Sequence, residues 1–276
     1  MRPEIVARLE RAGAAWAGYL VPNYVIMLAV GSLLAAVVVV EEARRYGYAR
    51  RDTLLVLMVG YAGGLLGGAL VPALQGLVAL VRTGHFRVPT GMAAYGGLIV
   101  GTVAGVLTLR RLRRPVRPFL DALAPAIGVA YFFARIGCFL AGCDYGVPST
   151  AVWAVRFPPG SYAFRDHVAH GLMGPMAPAS LPVHPTQLYL AFAGLLLFLC
   201  LRLVPSRGDG RRFALLTLGY AALRSTIELW RGDANRGSVG PFSTSQLLAM
   251  LTIVVVLVAW LLLRRRSPLR GARRSA

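Results

Sequence analysis

Long apolar runs broken by short arginine clusters set the pattern of this chain. About 20 apolar residues span the ~30 Å hydrocarbon core of a bilayer, and seven segments read as crossings: 21–40, 54–81, 92–109, 119–134, 188–203, 213–230 and 242–263. The fourth and fifth are short and are read as tilted, broken or extended by their flanks. Small residues recur at four-residue spacing, as Gly60, Gly64 and Gly68, then Gly97, Gly101 and Gly105, a spacing that lets helix backbones approach closely in lipid. The expected fold is an all-α integral membrane protein of seven transmembrane helices. It forms one polytopic domain over residues 1–276, with a small head at 146–185 inserted between the fourth and fifth helices. That insertion is rich in Pro, Gly and aromatic residues and has no clear period, as functional loops often are.

Composition agrees. The chain is 57% hydrophobic with 30 basic and 11 acidic residues, a formal charge of +19, and every basic residue is arginine. Such a charge suits either nucleic acid or a membrane surface. Position decides, because the arginines lie between apolar runs and no nucleic-acid recognition motif is present. Loops after odd-numbered spans hold Arg44, Arg45, Arg50 and Arg51, then Arg110, Arg111, Arg113, Arg114 and Arg117, then Arg202, Arg207, Arg211 and Arg212. The tail adds Arg264, Arg265, Arg266, Arg270, Arg273 and Arg274. The positive-inside rule then places the N-terminus and the 146–185 head in the periplasm and the tail in the cytoplasm of a bacterial inner membrane protein. The first twenty residues do not read as a signal peptide, since Arg2, Arg8 and Arg11 are interleaved with Glu4 and Glu10; residues 32–36 are the nearest mimic of a cleavage site.

Ionisable residues within spans are costly and ask for a partner or a role. Tyr220, Arg224 and Glu228 follow at i, i+4, i+8, with Arg231 three further on, so a helix puts all four on one face. One reading is a structural Arg–Glu tie. The other is a cavity stripe in which two arginines around one carboxylate leave cationic capacity for a phosphate. Arg135 closes the fourth span and is followed by Gly137, Gly142 and Gly146, which let the chain turn and bring N–H groups towards an anion. His184, Pro185, Thr186 and Gln187 open the fifth span, as a helix cap or as site residues. Cys138 and Cys143 are buried small residues, a disulfide pair or reactive thiols; Cys200 lies in an apolar run. His85, His167 and His170 have no zinc-type spacing, so neither a metal centre nor a cofactor is expected.

Together these segments resemble the prolipoprotein diacylglyceryl transferase family. Residues 135–146, RIGCFLAGCDYG, are similar to its signature GRIGNFxNGExxG; residues 183–189 to its HPSQLYE block; and residues 220–231 to its YxxxRFxxEFxR block. Asn23 and Tyr24 match its WYG, Tyr95-Gly96-Gly97 falls at its HGG, and residues 153–158 resemble its WGVxFP strand. The blocks keep the family's order over nearly the whole chain. The resemblance implies transfer of the diacylglyceryl group of phosphatidylglycerol to the lipobox cysteine of a prolipoprotein, with release of glycerol phosphate. Membrane lipids and lipobox peptides are its partners. It implies Arg135 and Arg224 as phosphate clamps, Glu228 as the carboxylate orienting Arg224, and Tyr95 as the residue standing where the family has a histidine base. Tyr24, Gly96, Gly97, Gly137, Cys138, Cys143, Asp144, Gly146, His184, Gln187, Tyr220 and Arg231 then fill substrate-binding positions. Three departures stand out: Tyr95 replaces His, Cys138 replaces Asn, and Cys143 replaces Glu, with Asp144 one residue along as a stand-in. They leave open a paralogue that uses another thiol or lipid, and a phospholipid-binding factor without turnover.

Overall fold

The computed structural model describes residues 23–84, 94–205 and 207–233, then 238, 239, 242, 243, 246, 247, 249–251, 253, 254 and 256, with only the backbone of Thr83, Ala94, Tyr95, Ser238, Val239 and Phe242. The elements are α1 (Asn23–Arg45), α2 (Arg50–Thr83), α3 (Ala94–Arg111), α4 (Val116–Ala141), α5 (Tyr162–Ala169), α6 (Thr186–Leu203) and α7 (Arg211–Ile227). A short 3₁₀ turn, Glu228–Trp230, follows α7, and β1 (Ser238–Val239) pairs antiparallel with β2 (Phe242–Ser243). Described residues between 246 and 256 are helical. Over its described residues, each of the first six apolar runs is therefore helical. Of the seven crossings expected, four helices among the described residues are long and apolar enough to span a membrane: α1, α2, α4 and α6. The expected start of the seventh run, at Phe242, is strand instead.

One bound differs from expectation for a physical reason. The fourth helix is not short: α4 runs 26 residues to Ala141, because Arg135 near its end meets protein partners and need not stop the helix at the membrane edge. Pro185 is the N-cap of α6, in keeping with the helix-cap reading of that block; lacking an N–H, it costs no hydrogen bond there.

The described residues group into two compact units. One comprises Ala36–Leu123 and Arg207–Gly210. Its centre is the α2–α3 pair, where Gly67 meets Gly96 backbone to backbone, Gly97 faces the Gly64 carbonyl and Gly101 faces that of Gly60. The expected small-residue spacing is thus used for packing. In its loops Tyr48 donates to the Pro115 carbonyl, and Arg114 pairs with Asp52 at 2.8 Å.

The other unit holds the described residues among 23–35, 124–205 and from Arg211 on. Here α4, α6 and α7 share apolar clusters of Ala124, Leu201 and Leu216, and of Leu190, Ala193 and Ile227. At the α4–α6 crossing a Cβ on Gly128 would lie 2.8 Å from the Gly194 carbonyl, and one on Gly194 3.0 Å from that of Gly128. Gly194→Val should therefore force the two helices apart and cost about 1–3 kcal/mol as overpacking, read as a lower unfolding temperature of the full chain in nanodiscs. Large apolar side chains such as Leu33, Leu66, Phe192 and Leu203 point outward. Such surface suits a hydrocarbon solvent, where helices satisfy their own backbone groups.

The segment from Gly146 to Pro185 shares a small core with the end of α4 and the turn after it. Tyr145, Phe157, Ala163 and Val183 are buried together, and isolated bridges join Val183 to Pro148 and Val155. Ser161 caps α5 by accepting from the Phe164 N–H at 3.2 Å.

Candidate active site

The site grows from the way α4 ends. The Gly142 N–H donates to the Cys138 carbonyl at 2.8 Å, and the Cys143 N–H donates to the same carbonyl at 3.2 Å. Gly142 (φ 75°) and Asp144 (φ 55°) then take left-handed backbone, and for Asp144, which carries a Cβ, this costs about 1–2 kcal/mol. Two side chains from the first turn of α6 hold that conformation. Thr186 Oγ1 donates to the Asp144 carbonyl and Gln187 Nε2 to the Cys143 carbonyl, each at 2.7 Å. Both side chains are fully buried, so the strained turn rests on the helix start that carries them.

The turn aims the Asp144 carboxylate between two guanidiniums. Arg135 Nη1 lies 2.5 Å from Oδ2 and Arg231 Nη2 lies 2.6 Å from Oδ1. Arg231 also grips Asp233 with two donors, at 2.5 and 2.9 Å. Burial works to raise the Asp144 carboxyl, but Arg135 and Arg231 outweigh it and hold it below the ordinary carboxylate range. Burial likewise works against the Arg231 charge, and its bonds to Asp233 with the field of Asp144 outweigh that. Arg135 lies 4.7 Å from the centroid of the Tyr131 ring, and Tyr220 meets that ring edge-on at 5.2 Å. The Arg135 Nε is buried with no hydrogen-bond partner among the described residues. Arg224, on α7, and Glu228, the first residue of the 3₁₀ turn that follows, form a buried ion pair.

Two expectations need correction. Arg231 does not share a helical face with Tyr220, Arg224 and Glu228. The α-helix ends at Ile227, and Arg231 is extended, bridging Gly146 in an antiparallel pair. The expected surplus of cation is also absent among the described residues, because Asp144 and Asp233 join Glu228 opposite Arg135, Arg224 and Arg231. A ligand anion here must compete with a resident carboxylate.

Gly146 sits where three backbones converge. A Cβ there would lie 2.6 Å from the His184 Cβ and carbonyl and 2.7 Å from the Trp230 carbonyl. Gly146→Ala should pull Arg231 off Asp144 and cost about 1–3 kcal/mol, with loss of both thermal stability and ligand binding in the purified chain. His184 Nδ1 lies 3.0 Å from the Tyr189 hydroxyl, which accepts from Trp153 Nε1 at 2.8 Å. His184 thus belongs to a polar chain beside the site. Tyr24, on α1, packs on Gly137, whose Cβ position lies 3.1 Å from the tyrosine ring.

Of the residues expected at the site, Tyr24, Arg135, Gly137, Cys138, Cys143, Asp144, Gly146, His184, Gln187, Tyr220, Arg224, Glu228 and Arg231 all lie in one unit. Gly96 and Gly97 lie in the other, packed on α2, and the Tyr95 side chain is outside the described residues. Cys138 (buried) and Cys143 (half-buried) are free thiols, as is the exposed Cys200. The Cys143 thiol is pushed up, by its bond with Cys138 first and then by burial. Sequence reasoning missed Tyr131 and Asp233, and placed Thr186 at the start of the fifth span without the hold on the Asp144 carbonyl that the structure gives it. Asp233 did leave a signal, since residues two apart on an extended chain share a side. Tyr131 is one helical turn before Arg135 and left a weaker one.

Comparison with known proteins places this geometry in context. The sequence profile of the prolipoprotein diacylglyceryl transferase family matches residues 15–262. Among relatives, the phosphatidylglycerol–prolipoprotein diacylglyceryl transferase of Clostridium tetani is 31% identical over 242 residues, covering 86% of this chain and 91% of the relative. That of Rhodospirillum rubrum is 34% identical over 236 residues, covering 79% and 77%. The second such transferase of Clostridium perfringens is 27% identical over 259 residues, covering 92% and 94%. Because that match takes in both units and every residue of the guanidinium–carboxylate site, the chain belongs to the prolipoprotein diacylglyceryl transferase family.

Proposed function

We propose that this chain is a membrane transferase that moves the diacylglyceryl group of phosphatidylglycerol onto the lipobox cysteine thiol of a prolipoprotein and releases glycerol phosphate. The observation that carries it is the pair of guanidiniums, Arg135 and Arg231, that share Asp144 at the end of α4. Thioether formation needs the thiol sulfur to bond the glyceryl carbon while that carbon's bond to the phosphate oxygen breaks. The electron pair leaves on the phosphate, so cations placed where that charge grows lower the barrier. Arg135 holds Asp144 through Nη1 and keeps a buried Nε without a partner among the described residues, and a guanidinium grips a phosphate sideways through the parallel N–H donors of Nε and Nη2. Asp144 acts as a placeholder that keeps both guanidiniums aimed until the headgroup arrives. Gripped this way it is a poor proton acceptor.

The same reading takes seven crossings, the N-terminus and the Gly146–Pro185 head outside, and the arginine-rich tail in the cytoplasm of a bacterial inner membrane. It is supported by the apolar helices and the arginine distribution. The test uses the full chain in nanodiscs containing phosphatidylglycerol, with a lipobox peptide and its Cys→Ser counterpart. Release of glycerol phosphate with a matching mass gain on the cysteine peptide alone is expected. Bound phospholipid with no release points to a binding factor and overturns the transferase reading.

A further inference from the structure

No metal spacing is visible along the sequence, yet the fold gathers a ligand set. The Cys138 and Cys143 sulfurs and a carboxylate oxygen of Asp144 all lie within 4.8 Å of one another, and the Cys138 Sγ to Asp144 Oδ2 distance is 3.8 Å. Three atoms so placed have a common centre no more than about 2.8 Å from any of them. Zinc bonds thiolate sulfur at about 2.3 Å and carboxylate oxygen at about 2.0–2.2 Å, so a contraction of about half an ångström forms a three-ligand site. Cys143 and Asp144 are both partly exposed, which leaves a fourth direction open. Three protein ligands and one open position is the layout of catalytic rather than structural zinc.

Two guanidiniums beside the cluster oppose a bare cation, but the charge count balances. Binding a divalent ion to two thiols releases two protons, so the net charge met by Arg135 and Arg231 is unchanged. The Arg135 Nη1, 3.9 Å from the Cys138 sulfur, faces the thiolate that forms. A carboxylate has about four lone-pair sites, so Asp144 can bridge an ion and Arg231 at once.

We infer that Cys138, Cys143 and Asp144 bind a thiophilic divalent cation of the zinc class, whose open position takes the acceptor cysteine as its thiolate. This rests on the transferase reading and supplies what that reading lacks on the described residues, a way to deprotonate the thiol. The acceptor proton leaves to water as the sulfur binds the ion, because a coordinating thiol is deprotonated outright. A sulfur lone pair then bonds the glyceryl carbon. The carbon–oxygen bond breaks towards the phosphate held by Arg135, and the weakly donating thioether departs from the ion. Nothing is oxidised or reduced. The same substitutions that put Cys138 and Cys143 in the family signature coincide with Tyr95 at its histidine position.

The test is spectroscopic and needs no turnover. The full chain, reduced, stripped with chelator and held in nanodiscs, is titrated with Co²⁺. One equivalent should produce a sulfur-to-cobalt charge-transfer band with tetrahedral ligand-field bands. Cys138→Ser and Cys143→Ser should each lose most of it, with helix content monitored by circular dichroism, whereas Cys200→Ser should keep it. A lipobox cysteine peptide should raise the charge-transfer intensity by about half, as a third thiolate joins two, and a serine peptide should not. No band in folded protein, a band that survives both cysteine variants, or a Cys138–Cys143 disulfide in protein trapped from intact membranes overturns the site. Full thioether formation by the stripped chain overturns the ion's role and leaves the transferase reading standing. A clean cobalt band with no product under any condition removes the transferase reading and supports the ion site alone.

Discussion

Arg135→Ala should slow thioether formation about 100- to 1,000-fold, the scale seen when one preorganised donor to a developing anion is removed. The loss has two parts. A donor to the leaving phosphate disappears, and Asp144 is left against Arg231 alone, free to follow it. Arg135→Lys should recover little, because a point charge lacks the planar fork and stacks less well over the Tyr131 ring, where the guanidinium sits now. Initial rates of glycerol phosphate release at saturating lipid, with folding checked by circular dichroism, decide this. Activity within a few-fold of the parent in Arg135→Ala would remove the headgroup clamp from the mechanism.

The second large effect is on stability. Glu228 is 1% exposed and Arg224 is 6% exposed, so neither charge has water to fall back on. Glu228→Gln keeps the shape and removes the charge, leaving Arg224 without its paired carboxylate in a low-dielectric site. Removing one partner of a buried pair costs about 3–5 kcal/mol, and a much lower unfolding temperature in nanodiscs is the expected result. The exposed pair Arg45–Glu41, at 3.3 Å on α1, is the control. Glu41→Gln should change stability by no more than about 0.5 kcal/mol. Equal effects from the two variants would show that the Arg224–Glu228 pair is not dry.

The apolar runs were legible because a bilayer imposes one requirement on every crossing, length and apolarity, which composition alone displays. Over their described residues the first six runs are helical, and the glycines at four-residue spacing do pack α2 on α3. Where run length misled, a polar residue was the cause. Arg135 looked like a terminus, and with Tyr131 and Asp144 as partners it lies inside α4. Arg224 and Glu228 were legible as a pair because helical spacing makes i and i+4 neighbours by itself. Arg231 was misplaced because the α-helix stops one residue before Glu228, and spacing does not announce where a helix frays into 3₁₀ geometry.

Local order along the chain determined which segments are helices, that Arg224 pairs with Glu228 four residues on, and which blocks carry the family resemblance. These depend on neighbours a few residues apart. Tertiary structure alone decided that Asp144, 87 residues from Arg231, sits between it and Arg135. It also decided that Thr186 and Gln187 hold the turn, and that two cysteines and a carboxylate converge. Such contacts depend on a left-handed backbone at Asp144 and on the close approach of Gly146, His184 and Trp230. Neither leaves a periodic trace, because each is imposed by packing between segments far apart in the chain.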